Sequence, residues 1–250
     1  MRAYPHKVDE EILGENRQAA EEFIDQLTPE APGAELEKNA TFFKMLGKEM
    51  LSYGIYSYAS AEPTSKVIEK LQQANLYFTK AIAFEIIMDP YEYIDYLALA
   101  IILTDAPQAR HLAAFPRTRY SHEDVEAGEI IYLLSETMGL LLLASKELAE
   151  RLAAAQQELA AKKMTRYDRL IAESLIGLIA AIAARDQNAF NQAVLARQQD
   201  FKRAHGHPSE RDMPEALLDI PGLALVRLAL ARGLKYTTQS SYLPVELLQR

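Results

Sequence analysis

The side chains that could carry acid–base or metal chemistry are few and poorly matched. Five histidines occur, His6, His111, His122, His205 and His207. None has a Glu three residues before it, so the Glu-x-x-His repeat of helical di-iron proteins is missing. The His-Glu-x-x-His zinc pattern is missing too. His205-Gly206-His207 could hold a metal ion, but two histidines at a helix end are more commonly solvent-facing polar residues. His122-Glu123-Asp124 is explained by helix capping and the favourable field at a helix start. Glu21-Glu22 falls on what should be a solvated face. With no cysteine in the chain, disulfides, thiolate metal sites and a Cys nucleophile are excluded together. No phosphate-cradling Gly-rich loop and no Gly-x-Ser-x-Gly elbow is present. The expectation is a chain with no catalytic residue, no metal site and no cofactor.

Binding chemistry is better represented. There are 13 tyrosines and no tryptophan, and two tyrosine clusters lie among acids: Tyr53, Tyr56 and Tyr58, then Tyr91, Tyr93 and Tyr96 beside Asp89, Glu92 and Asp95. Tyr is favoured at protein interfaces because it offers a large apolar face and one polar end at low entropic cost. The candidate contact residues are therefore Glu49, Tyr53, Tyr56, Asp89, Tyr91, Glu92, Tyr93 and Asp95. The competing reading keeps each tyrosine half-buried on its helix with only the hydroxyl reaching water.

The formal net charge is −8. Residues 1–100 hold 17 Asp and Glu against 9 Lys and Arg, while the remaining residues hold 18 of each sign. All the excess negative charge thus falls in the first two fifths. Such a surface repels nucleic acid and anionic membranes and favours a basic partner, unless the acids serve only to keep the fold in solution. The basic groups Lys162, Lys163, Arg166, Arg169 and Lys202, Arg203, Arg211 are interleaved with acids. With a pI near 5.3, they read as surface charges near helix ends.

Helical spacing positions these residues nearly everywhere. Helices are predicted over Val8–Leu27, Glu35–Ala61, Thr64–Met88 and Pro90–Asp105. Gly47 and Gly54 in the second leave room for close packing or a bend. Pro107 and Pro116 frame an irregular stretch with Arg110, His111, Arg117 and Arg119. Ser121, with Asp124 three residues on, starts the next helix, which should break near Ala144-Ser145 before a new stripe of Leu148, Leu152 and Leu159. Asp168–Ala184 is apolar nearly all round and should be central. The short Arg185-Asp186-Gln187 joint then forces Asn188–Ala204 into an antiparallel neighbour with Phe190, Val194 and Phe201 inward. A short apolar helix, DIPGLALVRLALARG, stops at Gly233, and only Lys235–Thr238 could be extended. The fold expected is all-α: a compact array of antiparallel helix hairpins, eight or nine helices, α-solenoid-like, with a short irregular C-terminal tail. It forms a single domain over 1–250, with an acidic half 1–120 and a charge-neutral half 121–250. LQQANLYFTKAIAFE resembles the second half of a tetratricopeptide unit, but no 34-residue repeat recurs.

The last third, with its apolar helix closing on Arg232-Gly233 and its Tyr242-Leu243-Pro244 turn followed by a hydrophobic pair, resembles the C-terminal part of the Imm49-type immunity proteins of bacterial polymorphic toxin systems. That resemblance covers roughly the last 80 residues. It implies a non-enzymatic protein that binds and neutralises a cognate antibacterial toxin. The acidic, tyrosine-bearing surface above would then meet a basic toxin face. Gly233, Tyr242, Leu243 and Pro244 are expected to hold the tail against the preceding helices. The alternatives are a tetratricopeptide-like scaffold or effector chaperone, and a helical enzyme with a buried polar pocket. The N-terminus lacks an apolar signal segment and no run reaches the ~20 apolar residues of a membrane span, so a cytoplasmic protein is expected. A homodimer, and the identity of the toxin, are left open.

Overall fold

The structure, a computed structural model, describes residues 2–28, 36–84, 89–114, 117, 128–161 and 164–248, with only the backbone of 36–39. In chain order the helices are α1 (Glu10–Leu27), α2 (Leu36–Ala59), α3 (Thr64–Phe84), α4 (Pro90–Ile102), α5 (Ala106–Ala113), α6 (Glu129–Leu143), α7 (Leu148–Ala161), α8 (Arg166–Ala184), α9 (Gln187–Ala204), α10 (Pro214–Leu217) and α11 (Ile220–Ala231). A 3-10 turn at Val245–Leu247 follows, and no strand occurs among the described residues. The fold is all-helical, an array of antiparallel hairpins with α2 on α3 and α8 on α9. Ten of its helices exceed one turn, slightly more than the eight or nine expected.

One element, α5, accounts for the difference. The stretch after Pro107, expected to be irregular, is α5. Asp105 accepts from the Gln108 amide, and Pro107 sits in the first turn, where its missing N–H is no loss. The single turn α10 likewise begins on Pro214. The expected capping pair Ser121 and Asp124, the breaks at Pro29–Gly33 and Pro116, Arg119, His122, Lys162, Lys163 and the extension of α3 to Met88 lie outside the described residues.

Aspartates set the helix starts. Asp9, Asp89, Asp105, Asp186 and Asp219 each accept one or two first-turn amides, satisfying donors that have no intrahelical partner. Helix ends are turned by left-handed residues with ordinary side chains. The expected break after α6 is made by Ala144 at φ 52°, and the joint before α9 by Arg185 at φ 54°. In both, the following amide reaches back five residues, Ser145 to the Leu140 carbonyl and Asp186 to that of Ala181, the closure of a Schellman motif.

The innermost helix is α4, with ten of its 13 residues buried. Against expectation α8 is less enclosed, since Glu173 and Gly177 face solvent. The chain returns at its end to place α11 against both α4 and α8. The α2–α3 hairpin is joined to this centre through aromatic rings. A Cβ on Gly47 of α2 would lie 2.4 Å from ring carbons of Phe78 in α3. Phe78 in turn stacks on Tyr96 of α4 with centroids 4.1 Å apart.

This packing makes Gly47→Ala destabilising by about 1–3 kcal/mol, because the ring cannot retreat without disturbing Tyr96. Gly14→Ala, on an open face with nothing within 4 Å, should instead stabilise by up to about 1 kcal/mol through helix propensity. Urea unfolding of both variants against the parent chain measures the contrast.

Candidate functional site

Between α2, α4, α6, α8, α9 and the segment 214–221 lies a cavity of about 420 Å³. Its walls are mostly apolar, with Ile55, Phe78, Ile94, Ile131, Leu175 and Leu218 among them. The charged groups lining it are Lys48, Glu92, Asp95, Asp168, Arg197, Glu215 and Asp219. Two aromatic residues of the lining remain exposed at 41 % and 44 %, Tyr91 and Tyr167.

The floor is organised by Arg197. On α9 it continues the apolar stripe Phe190, Val194, Arg197, Phe201, all buried, so helical periodicity alone drives a guanidinium into the core. Its side chain is 2 % exposed, and Asp219 opposite is 1 %. Nε donates to Asp219 Oδ2 at 2.6 Å and Nη2 to Oδ1 at 2.7 Å. Nη1 donates to Ser174 Oγ at 3.0 Å and to the Ile171 carbonyl at 3.3 Å. The fork thus meets its carboxylate bidentately, the geometry in which a buried ion pair offsets its desolvation. Asp219 also accepts from the Gly222 amide at 2.9 Å, capping α11. A Cβ on Gly222 would sit 2.1 Å from Asp219 Oδ2, so the close approach requires glycine there.

The same aspartate anchors the tail. Its amide donates to the Tyr242 carbonyl at 3.0 Å. The Tyr242 ring packs on Phe201 at 4.8 Å, and its hydroxyl meets His6 Nδ1 at 2.6 Å. His6 Nε2 lies 3.0 Å from the Arg211 carbonyl. A carbonyl only accepts, so Nε2 carries the proton and Nδ1 accepts from the tyrosine. Leu243 and Pro244 are buried, the Leu243 carbonyl accepts from Tyr236 at 3.2 Å, and Gly233 turns the chain at φ 85°.

His205 is also buried, against Phe201 at 4.5 Å and edge-on to Tyr167 at 5.4 Å. This corrects the solvent-facing expectation for it; His207 alone is exposed, beside Ser209. Burial, reinforced by the Arg197 charge, lowers the His205 pKa to about 4, so the ring is neutral at pH 7. The described residues contain no group of three or more His, Cys, Asp or Glu arranged to hold a metal.

The eight candidate contact residues separate into three sets. Tyr91, Glu92 and Asp95 line the cavity. Glu49 and Tyr53 are half-buried on α2; Tyr53 donates to Glu21 at 3.2 Å, and Asp89 caps α4. Tyr56 and Tyr93 are buried, the latter donating to the Leu112 carbonyl at 3.0 Å. They face inward and offer no surface, because successive turns of a helix with two packed sides cannot all point outward.

Burial acts to raise the Glu92 pKa, but Lys44 at 2.8 Å and Lys48 at 2.7 Å outweigh it and hold the carboxyl below its ordinary value. Asp95 behaves oppositely. Protein surrounds it deeply, and the surface it keeps is the part lining the cavity. Burial, then the nearby Glu215 charge, pushes its pKa up to about 7. Among the described residues it has no hydrogen-bond or ion-pair partner. Arg197, Asp219, His205, Tyr167 and Glu215 were not singled out from sequence as contact residues. The available signal was a charged residue within the apolar stripe of α9, with a cap-forming Asp before Ile220-Pro221-Gly222.

The profile of the family Imm49, Immunity protein 49, matches residues 34–247. The match spans the cavity, the Arg197–Asp219 pair and the C-terminal motif, far more than the last third. Neither a curated protein nor a solved structure matches the chain. Among the described residues no helix is long and apolar enough to cross a membrane.

Removing one partner of the buried pair strands the other. Arg197→Met and Asp219→Asn should each cost about 3–5 kcal/mol, and the double variant less than their sum; a double-mutant cycle in urea reads the coupling. Asp95 holds its proton more tightly folded than unfolded, so its contribution to stability falls as pH rises from about 4 to about 7. Asp95→Asn should therefore be more stable than the parent at pH 8, by about 2 kcal/mol, with the advantage vanishing below pH ~4. Unfolding curves across that range check the sign.

Proposed function

The chain belongs to the Immunity protein 49 family, and from that membership we propose that it binds a cognate antibacterial toxin and neutralises it by contact alone, without bond-making chemistry of its own. The reading takes residues 1–250 as a single domain acting in the cytoplasm of the cell it protects. The toxin face it meets is basic. The observation that carries the reading beyond the family is the pairing of charge and exposed aromatic surface around the cavity. Tyr91 and Tyr167 stand at its edge, Met213 is exposed next to lining residue Pro214, and five of the seven charged lining residues are acidic. Large amphipathic side chains around a concave centre are what a binding hot spot requires, and negative charge steers a basic partner into it.

The docking surface proposed is Glu49, Tyr53, Asp89, Tyr91, Glu92 and Asp95, with Tyr56 and Tyr93 holding α2 and α4 in place beneath it. Exclusion of the toxin's substrate follows from covering its basic face.

Co-production with the toxin encoded beside it, in a sensitive bacterium, should reduce killing to background. The folded variant carrying Glu49→Lys and Tyr91→Ala should protect at least tenfold less well. Association should slow as salt screens the charges. Killing that is undiminished by the soluble parent chain would reject the proposal.

A further inference from the structure

We propose that the cavity is a receptor for a cationic head carried on a short aliphatic stem, the head lying against Asp95 and Glu215 and the stem against the apolar walls. The charged groups around the cavity have bonded partners in the structure except at this point, where Asp95 is enclosed and Glu215 is exposed. Arg197 is neutralised by Asp219 at 2.6 Å, and Lys48 shares Glu92 with Lys44, at 2.7 and 2.8 Å. Asp168 accepts from its own cap, Thr165. His205 is neutral because burial lowers its pKa. Asp95 and Glu215 remain, and neither has an ion-pair or hydrogen-bond partner among the described residues.

Proteins rarely leave a desolvated carboxylate uncompensated, since its charged form is costly away from water. Here the cost is visible in the raised proton affinity of Asp95. A ligand cation removes it by supplying the missing counter-charge. Anions are disfavoured by five acidic against two basic lining residues. A bare metal ion is disfavoured because the remaining lining is largely aliphatic and aromatic, which cannot complete an oxygen shell. A stem of methylenes matches those walls, and about 420 Å³ lies within the range of small-ligand sites, ~300–1,000 Å³. The groups that face Asp95 from the neighbouring elements are Lys48 on α2, Glu92 on its own helix, Glu215 on α10 and Asp219 ahead of α11.

Two sources can present this chemistry, a lysine of the toxin or a free aliphatic amine. In the first arm the isolated chain is titrated with n-pentylammonium chloride against sodium chloride of equal ionic strength, following methyl resonances of Ile55, Ile94 and Ile131. Saturable shifts are expected, strengthening from pH 6 to pH 8 as Asp95 ionises. Asp95→Asn should weaken them at least tenfold, and n-pentanol, with the stem but no charge, at least fivefold. Absent saturation, or equal binding to Asp95→Asn, overturns the proposal; the variant's unfolding curve shows that it is folded. The second arm rests on the immunity reading. Toxin displaced by n-pentylammonium, and bound at least tenfold more weakly by Asp95→Asn, identifies a toxin lysine. Unchanged toxin affinity with a positive first arm identifies a free amine. A toxin that does not bind the parent chain at all rejects the immunity reading and leaves the first arm standing.

Discussion

The interlocking of the molecule depends on the buried ion pair of Arg197 and Asp219. Each residue has a second structural duty, so the pair ties α8, α9, the start of α11 and the tail together at one point. Arg197 reaches α8 through Ser174 and the Ile171 carbonyl. Asp219 starts α11 and holds the Tyr242 carbonyl. Through Tyr242 the connection continues to His6 and the loop carrying Arg211. A hydrophobic substitute of equal volume could match the pair in stability. What the pair adds to that packing is a set of directional bonds, four from the guanidinium and one from the Gly222 amide, that meet at one point.

That arrangement explains why the cavity persists. Collapse would bring α4 onto the floor formed by α9 and the 214–221 segment, pressing Asp95 toward Asp219. The two carboxylates already repel, Asp219 acting to raise the Asp95 pKa. Glu92, clamped by Lys44 and Lys48, fixes α4 against α2 on the other side. The site is a by-product of packing constraints on five helices and the 214–221 segment, which is why its residues are scattered from 48 to 221.

Much of the fold was legible because the signals are local. Aspartate before an apolar run marks a cap, proline marks a first turn, and the apolar stripes of α1, α3 and α9 repeat with the helical period. The α6–α7 break was legible from a serine, although the residue that makes the turn is Ala144, in a conformation its side chain does not announce. Thr104, Ala61 and Arg185 take similar left-handed conformations, so helix ends carry fewer marks than helix starts. The candidate contact set was legible only in part. Charge and aromatic content pointed to residues of α2 and α4, of which Tyr91, Glu92 and Asp95 line the cavity, but they do not report rotation about a helix axis. Tyr93 and Tyr56 therefore went inward. Arg197 and His205 were missed for a complementary reason: sequence favours the solvated reading of a polar side chain, and tertiary partners far along the chain overruled it.

Arg2 stacks over the Tyr58 ring at 4.1 Å, donates to the Tyr58 carbonyl and pairs with Glu246 at 2.7 Å. This places residue 2 and residue 246 in one small cluster. Helix hairpins such as α2–α3 and α8–α9 need only nearby residues and can form as soon as they are made. The seam at Arg2 joins positions separated by almost the whole sequence, and closing so large a loop is entropically demanding. During synthesis the seam stays open until Glu246 clears the ribosome, so Arg2 waits for this neighbour while all the residues between them are made.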